Sequence, residues 1–220
     1  MTAGWRIHHS RGDAATFHSS VPPAERAVTF HAVDRPTLVL GSAQRPDDVD
    51  GRVASALGVD VVGRRSGGGA VLLVPGEFVW MDVVIPAGDP RWSDDVGAAM
   101  LWLGDWWAGA LASSGTVGTV HRDGLRSSAW SRQVCWAGAG TGEVLASSGG
   151  KLVGISQRRT RHTARFQTMC HLRWRPELVA ALVASGGAGR PSAAELAPCA
   201  AVASVTESQL VDALLGHLPG

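Results

Sequence analysis

The chain has 220 residues, of which 45% are hydrophobic and 18% are charged, and its formal net charge is +1. This length and apolar content suit one substantial globular domain with its own core. A net charge so close to zero provides no global field that would favour nucleic acid or an anionic membrane as a partner.

The sequence also lacks the signals of secretion, membrane insertion and metal binding. Residues 1–20 contain no apolar run of the signal-peptide type, and the longest apolar stretches are too short to cross a bilayer. Three widely spaced cysteines, Cys135, Cys170 and Cys199, argue against a disulfide framework and a zinc site, so no metal is expected. We expect a cytoplasmic protein in which residues 1–220 form a single domain.

The first half of the chain predicts strands with intervening helices, as in an α+β fold. The first two strands are expected to be neighbours, and the last two to form a hairpin across Pro75-Gly76. Ser93 is predicted to be the N-cap of the long helix, and Gly58 to end the short one. In chain order these elements are Val28–Val33 and Thr37–Gly41 (strands), Asp47–Leu57 (helix), Val59–Arg65, Ala70–Val74 and Phe78–Ile85 (strands), and Ser93–Leu111 (helix).

The second half of the chain is predicted to continue with strands and to end in helices. A glycine-rich loop, Gly186–Pro191, is expected between the last two helices, and the final helix is amphipathic with a Thr206 cap. The elements are Gln133–Trp136, Glu143–Ala146, Lys151–Thr160 and Arg165–His171 (strands), followed by Pro176–Ala184 and Thr206–Leu218 (helices).

Lys151 is the only lysine in the chain, set against nineteen arginines. Arginine can replace lysine in most surface roles, but it is not a compact point charge on a flexible stem. A compositional bias that removes dispensable lysines makes the remaining one a candidate functional residue.

The run Arg64-Arg65-Ser66-Gly67-Gly68-Gly69-Ala70-Val71 is a candidate anion-binding turn. Three successive glycines allow close approach of the backbone to a ligand, and consecutive amides in such a turn can surround an anion. The run is neither a Walker loop nor a Rossmann turn, because the residues that would have to follow the glycines are absent. A flexible surface turn is the simpler alternative.

A second candidate segment is Gly150-Lys151-Leu152-Val153-Gly154-Ile155-Ser156-Gln157. Lys151 begins the predicted strand, Gly154 allows a ligand or another backbone to come close, and Ser156 offers a polar contact. An ordinary edge strand with a solvated lysine is the alternative interpretation.

Together, the glycine turn and the lysine strand resemble the lipoate–protein ligase and octanoyltransferase family. The run Leu38–Gln44 extends this resemblance, since it matches the family's Gly-x-x-Gln strand end. The resemblance implies a mixed central sheet with flanking helices, a fold shared with biotin ligases. It also implies an enzyme that attaches lipoate or octanoate to a lysine of a lipoyl carrier domain. For residues 1–220 it implies a single catalytic domain, without the C-terminal accessory domain that many lipoate ligases carry.

The resemblance further implies roles for particular residues. Lys151 corresponds to the family's essential lysine, which contacts the acyl carbonyl or the acyl-phosphate oxygens. The residues that correspond to its acyl- and adenylate-binding positions are Arg64, Ser66, Gly67, Gly68, Gly69, Ala70, Val71, Leu72, Gly154 and Ser156.

Two routes of acyl transfer remain open within this family. A ligase uses ATP and Mg²⁺ to form an acyl-adenylate, whereas a transferase takes the acyl group from acyl carrier protein through a cysteine and needs no cofactor. Cys135 stands sixteen residues before Lys151, as in one transferase branch, and is the candidate nucleophile. A buried structural cysteine is the alternative for Cys135, and a non-catalytic acyl- or nucleotide-binding protein is the alternative for the whole chain.

Two departures from the family pattern set this chain apart. The run Arg165–His171 lacks the His-Gly pair that commonly follows the lysine strand, and Leu73–Glu77 replaces a His-Asp pair. Polar contacts with the nucleotide or the acyl headgroup are therefore expected to differ. The basic run Arg158–Arg165 could bind phosphates or an acidic carrier surface, or could simply be a solvated hairpin tip.

Overall fold

The computed structural model describes residues 4–185 and 189–220, which form two β-sheets with helices packed on them. A seven-stranded mixed sheet has the order β1-β2-β6-β10-β9-β8-β7, and a three-stranded sheet has the order β4-β3-β5. The strands are β1 (Arg6–Gly12), β2 (Ala27–Val33), β3 (Thr37–Leu40), β4 (Asp60–Gly63), β5 (Val71–Leu73), β6 (Phe78–Pro86), β7 (Thr119–Val120), β8 (Val144–Leu145), β9 (Lys151–Arg159) and β10 (Thr163–His171).

The helices are short, except for two that cover one face of the large sheet. They are α1 (Ala14–Ser19), α2 (Gly51–Ala56), α3 (Leu101–Ser113), α4 (Pro176–Leu182), α5 (Ala193–Leu196) and α6 (Glu207–Gly216), with 3₁₀ turns at Pro46–Asp48, Ala98–Met100, Cys135–Ala137 and Ala197–Cys199. No helix within the described ranges is long and apolar enough to cross a membrane.

Strand β6 shows how the large sheet separates two hydrophobic cores. Because successive side chains of a strand point to opposite faces, Val79, Met81 and Val83 pack with α3 and α6 in the first core. Phe78 and Trp80 point the other way and pack with the three-stranded sheet in the second core. The site described below lies in this second core, between the two sheets.

Two predicted strand pairings are wrong, for one reason: the chain changes sheets at each of the two turns. β2 pairs with β1 and β6, whereas β3 pairs with β4 and β5, so the first two predicted strands are not neighbours. β5 likewise pairs with β3, and β6 pairs with β2 and β10, so no hairpin forms across Pro75-Gly76. Local turn signals predict that the chain reverses, but not which strand it then joins.

Two predicted elements differ from the structure, one in the residue at which it begins and the other in its type of secondary structure. The long helix α3 starts at Leu101, after a 3₁₀ turn at Ala98–Met100, and neither has a side-chain cap, so Ser93 is not its N-cap. The Asp95 carboxylate accepts hydrogen bonds from the amides of Gly97 and Ala98 at 2.8 and 3.0 Å just before that turn. The predicted strand Gln133–Trp136 is a 3₁₀ turn at Cys135–Ala137, which follows a single parallel bridge between Val134 and Ala70.

Other predictions are confirmed. Lys151–Thr160 and Arg165–His171 correspond to β9 and β10, and α6 has a Thr206 cap that accepts from the amide of Gln209. Gly58 ends the α2 region with a φ of +63°. Local sequence patterns did not predict β1 and α1. Residues 186–188 of the expected glycine-rich loop lie outside the described residues.

Candidate active site

The glycine turn and the lysine strand meet in the folded chain. The Ser66 hydroxyl donates a hydrogen bond of 3.1 Å to the Ser156 hydroxyl, which joins positions ninety residues apart. Ser66 precedes the three glycines and Ser156 lies on β9, so the tertiary structure brings together the two segments that the sequence analysis selected.

Arg64 holds the glycine turn in shape from behind. Its buried guanidinium donates to the carbonyls of Gly67 and Gly69 at 2.8 Å each, and to the Val39 carbonyl of β3 at 3.2 Å. These bonds pull the turn against the three-stranded sheet. Arg64 therefore acts first as a structural clamp, although its side chain also borders the cavity described below.

The glycines are required by space and by backbone conformation. Gly68 has a φ of +95°, a left-handed conformation that residues with a Cβ rarely adopt. A Cβ on Gly69 would lie 2.6–2.8 Å from backbone atoms of Val134 and Cys135. The turn thus lies directly against the segment that carries the cysteine.

The amide N–H groups of Gly67, Gly68 and Gly69 have no hydrogen-bond acceptor within residues 4–185 and 189–220. Gly67 and Gly68 are exposed, so their amides are open to water or to a ligand, whereas Gly69 is buried. Successive backbone donors of this kind can form a concave site for an anion. This arrangement suits a ligand that presents oxygen atoms to the turn.

An apolar cavity opens between the two sheets beside this turn. The space between its walls, counted out to the open mouth and including solvent, is about 480 Å³. Its lining residues are His18, Val39, Arg64, Val71, Leu73, Trp80, Cys135, Trp136, Gly154, Ile155, Ser156, Gln167, Thr168 and Met169.

Lys151 lies behind the cavity rather than in its lining. Its ammonium is 2.7 Å from the Glu143 carboxylate and donates to the carbonyl of Cys135 at 2.9 Å. Glu143 also accepts from the amides of Gly140 and Ile155, so this buried carboxylate connects the second glycine-rich loop to β9. The lysine thus contacts the backbone of the residue whose thiol borders the cavity.

Cys135 is the one cysteine whose side chain borders the cavity among the described residues. Its sulfur lies 3.6 Å from the point where a Cβ of Gly68 would stand, so the thiol lies next to the glycine turn. Burial raises the pKa of Cys170 to about 12 and also raises the pKa of Cys199, an effect that the Lys151 charge opposes. Neither of those two thiols lines the cavity, and both remain protonated near neutral pH.

A second wall of the cavity is formed by aromatic and polar side chains that local sequence patterns did not predict. The His18 ring is stacked on Trp80 with 4.8 Å between the ring centroids, and Gln167 approaches its Nδ1 at 3.3 Å. Burial is the main cause that lowers the pKa of His18 to about 4, so its imidazole is neutral near pH 7.

A buried ion pair supports this wall. The Arg165 guanidinium donates to Asp82, and also to the carbonyls of Phe17 and Ser20 at the end of α1 at 2.7 and 2.9 Å. Burial tends to raise the pKa of Asp82, but contacts with the His31 ring and with Arg165 outweigh burial and hold that pKa below its usual value. The pair fastens α1, and with it His18, to the large sheet.

The predicted site residues fall into three groups in the structure. Arg64, Val71, Cys135, Gly154 and Ser156 line the cavity, whereas Lys151, Ala70 and Leu72 are buried outside its lining. Ser66, Gly67, Gly68 and Gly69 form the adjoining turn.

The cavity residues that were not predicted have one thing in common: their local sequence does not indicate their position in the fold. His18 lies on a six-residue helix with no hydrophobic periodicity to indicate it, although the side chain of Asp13 caps that helix by accepting from the amide of Thr16. Gln167, Thr168 and Met169 were noted only as departures from a family pattern. Their position opposite the glycine turn depends on the pairing of β10 with β6 and β9.

The basic run after Ser156 does not form one continuous patch. Arg159 lies over the Trp92 ring at 4.6 Å, and Arg165 is buried in its pair with Asp82, while Arg158 and Arg161 are exposed. Within the described ranges no group of three or more His, Cys, Asp or Glu side chains is placed to hold a metal ion.

The comparisons with solved structures show which fold this is. The chain superposes on a bi-partite lipoate protein ligase from Thermoplasma acidophilum with a TM-score of 0.72 and 15% identity, covering 96% of this chain and 81% of that one. A lipoate-protein ligase A bound with ATP gives a TM-score of 0.66 at 14% identity, over 96% and 83% of the two chains. LipL1 of P. falciparum in complex with lipoate gives a TM-score of 0.66 at 10% identity, covering 97% of this chain and 61% of that one.

The fold class predicted from the sequence, α+β with a mixed sheet and flanking helices, is thereby confirmed. A search of curated proteins by sequence gives no match. The family model described as the lipoyl protein ligase A/B catalytic domain matches residues 13–206. Since this match covers most of the chain, from α1 to the cap of α6, the chain belongs to the lipoyl protein ligase A/B catalytic-domain family, a family of enzymes.

Proposed function

We propose that this chain is an acyl ligase that activates lipoate or octanoate as an adenylate and transfers it to a lysine of a lipoyl carrier domain. The observation that carries this proposal is the hydrogen bond between Ser66 and Ser156. This bond supports the proposal because it joins the glycine turn to β9, a strand that contributes to the lining of the apolar cavity. Family membership and the solved relatives that bind ATP or lipoate support the same conclusion.

The cavity has the two properties that such a substrate needs. Its aliphatic and aromatic walls would receive the hydrocarbon chain, whose burial is favourable in proportion to the apolar area removed from water. The glycine turn would receive the oxygens of the carboxylate or of the acyl phosphate through the amides of Gly67, Gly68 and Gly69. Donors fixed in place before the reaction stabilise charge that develops on oxygen.

ATP would fit beside the glycine turn, and Mg²⁺ would be held by the ATP phosphates rather than by a cluster of protein ligands. The exposed guanidinium of Arg65 adjoins the glycine turn and would supply charge for phosphates. No cluster of metal ligands exists in the described ranges, so Mg²⁺ would enter bound to the ATP phosphates, as is usual for this ion. ATP would supply the adenylate: the acyl carboxylate would bond to its α-phosphate while pyrophosphate leaves, and AMP would then be the leaving group in the transfer.

In this proposal, Lys151 provides positive charge at the reacting end of the cavity. Its ammonium lies against the carbonyl of Cys135, and rotation about its flexible stem would move it from Glu143 toward the turn. The amine of the acceptor lysine would then attack the acyl carbonyl, forming the amide bond while AMP leaves.

A second candidate function is favoured by the position of Cys135. Its thiol borders the cavity beside the glycine turn, where a nucleophile for acyl transfer would have to lie. In that route the Cys135 thiolate attacks the thioester of an acyl carrier protein, and the carrier thiol leaves. The acceptor lysine amine then attacks the acyl-Cys135 thioester and releases the cysteine, without ATP.

One pair of assays separates the two routes. Lipoate- or octanoate-dependent exchange of pyrophosphate into ATP by the purified chain is the expected result for a ligase. Absence of exchange, together with acyl transfer from octanoyl carrier protein that is lost in Cys135→Ser, would establish the transferase instead.

Cys199→Ser is the matched control, since Cys199 is a partly exposed thiol outside the cavity lining. This variant should keep full activity under either route. If the chain shows neither exchange nor transfer, and binds lipoate or octanoate without turnover, both enzymatic proposals fail and a binding protein remains.

A further inference from the structure

The orientation of the cavity can be read from the pairing of three strands of the large sheet. Ser156, Gln167 and Asp82 are paired neighbours on β9, β10 and β6, and Gly154, Met169 and Trp80 form the adjacent row. With strands about 4.8 Å apart, the distance from the β9 side to the β6 side is about 10 Å. The cavity lining draws on all three strands, so the cavity extends across them.

The reacting groups all lie on the β9 side. The glycine turn meets β9 through the bond from Ser66 to Ser156, and the Trp136 ring lies over Gly154, where an added Cβ would be 3.1 Å from the ring. Lys151 begins β9 and contacts the carbonyl of Cys135. An acyl group whose carbonyl lies at these residues can extend its hydrocarbon tail across the three strands toward β6.

The β6 side is closed by His18 and Trp80. Their stacked rings face the cavity, and Gln167 fixes the imidazole by its contact of 3.3 Å with Nδ1. The ion pair between Arg165 and Asp82 holds the helix that carries His18. An aromatic wall of this kind, fixed by packing and by buried hydrogen bonds, cannot retreat easily from a longer chain.

We propose that His18 is the specificity-determining residue that limits the length of the acyl chain accepted by this cavity. This inference rests on the proposed function, because it assumes that the cavity holds an acyl chain with its carbonyl on the β9 side. An extended chain gains about 1.2 Å per bond, as the peptide backbone does with about 3.6 Å per three bonds. Eight carbons, joined by seven bonds, therefore span about 8 Å, which fits within the roughly 10 Å between the β9 and β6 backbones.

The neutral state of His18 is consistent with this role. Because burial lowers the pKa of His18 to about 4, the ring presents no charge to the hydrocarbon at neutral pH. A charged residue in the same place would have to be desolvated by an apolar tail, at a cost that would oppose binding.

The test compares chain lengths in two variants of His18. Hexanoate, octanoate, decanoate and lipoate are offered as acyl substrates, and kcat/KM is measured for modification of a lipoyl domain. Binding of each free acid is measured separately by isothermal titration calorimetry. Removing the ring in His18→Ala should raise the ratio of decanoate to octanoate, in both kcat/KM and affinity, by about tenfold or more, since one methylene in an apolar pocket changes selectivity by about 10- to 200-fold.

His18→Phe keeps a ring of similar size, so the ratio of decanoate to octanoate should stay near the wild-type value. This variant separates the effect of the ring's bulk from an effect of displacing α1. His8→Ala is the matched control, because His8 is exposed on β1, away from the cavity. A chain-length ratio unchanged in His18→Ala would overturn the role of His18 while leaving the proposed function intact. Failure of the wild-type chain to bind any of the four acids would overturn the proposed function and this inference together.

Discussion

Two buried ion pairs flank the cavity on opposite sides, and they are built differently. On the β6 side, the Arg165 guanidinium reaches Asp82 and two carbonyls of α1 at once. On the β9 side, the Lys151 ammonium reaches Glu143 and the carbonyl of Cys135. Both pairs are almost fully buried, so each must satisfy its charges within the protein.

The difference lies in how many elements each cation holds together. Arg165 has several donors in a rigid planar group and uses them to fasten a helix to the sheet, whereas Lys151 is a point charge on a flexible stem. Glu143 retains two backbone donors when the lysine moves, whereas without Arg165 the Asp82 carboxylate keeps only the Trp80 indole, at 2.7 Å, and the His31 ring. The comparison teaches that Arg165 maintains the wall of the site, while Lys151 is available for chemistry.

The largest expected effect is on folding, through Arg165. Replacement in Arg165→Met leaves Asp82 buried without its guanidinium and removes the bonds to α1, so we expect the free energy of unfolding to fall by about 3–5 kcal/mol. Urea denaturation monitored by circular dichroism measures this loss.

Arg158→Met is the matched control, because Arg158 is the register partner of Arg165 on β9 yet is exposed. Its free energy of unfolding should stay within about 0.5 kcal/mol of wild type. Equal losses in the two variants would show that Arg165 does not support the wall in the way described.

The next effect is on turnover, through Lys151. Both Lys151→Met and Lys151→Arg should lower kcat for lipoyl-domain modification by about 10²- to 10³-fold, the usual result of removing one donor that stabilises developing negative charge. Guanidinium keeps the charge but not the compact geometry, so the arginine variant tests shape rather than charge.

Urea denaturation of these variants should show smaller stability losses than that of Arg165→Met, since Glu143 still accepts from two amides. Near-native turnover in Lys151→Arg would contradict the role assigned to this lysine.

The smallest of the three effects concerns the shape of the glycine turn. In Gly69→Ala the new methyl group would meet backbone atoms of Val134 and Cys135 at 2.6–2.8 Å, and backbone cannot yield as a flexible side chain can. We expect a loss of about 2–3 kcal/mol in the free energy of unfolding, the range for overpacking, measured by thermal and urea denaturation.

Gly67→Ala provides the comparison within the same turn. An added Cβ at Gly67 meets no atom within 4 Å, so this variant should fold like wild type. If both variants behave alike, the close packing of the turn against the cysteine segment is not what requires glycine here.

Much of the fold could be predicted from local patterns. The strands β9 and β10, the capped helix α6 and the glycine turn are each encoded within a short run of residues, where periodicity, capping or steric freedom acts over a few positions. Elements whose signal is weak or short, such as α1 and β1, were missed for the same reason, since a six-residue helix carries little periodicity.

Strand pairing could not be predicted in this way. Val71–Leu73 and Phe78–Pro86 have the length and the intervening turn of a hairpin, yet they belong to different sheets. The choice of partner depends on burial against distant residues, which turn chemistry does not encode. The same dependence turned the predicted strand at Cys135 into a 3₁₀ turn packed on the glycines.

By itself, the sequence determined which chemical groups this protein possesses: one lysine, a triple-glycine turn, a cysteine and the strand that follows it. Only the tertiary structure decided how they are arranged. It placed Lys151 against Glu143 behind the cavity, gave Arg64 the role of a clamp, and positioned His18 and Trp80 as the opposite wall. The physical reason is that these roles depend on buried contacts between residues far apart in the chain, and such contacts exist only once the two sheets have packed together.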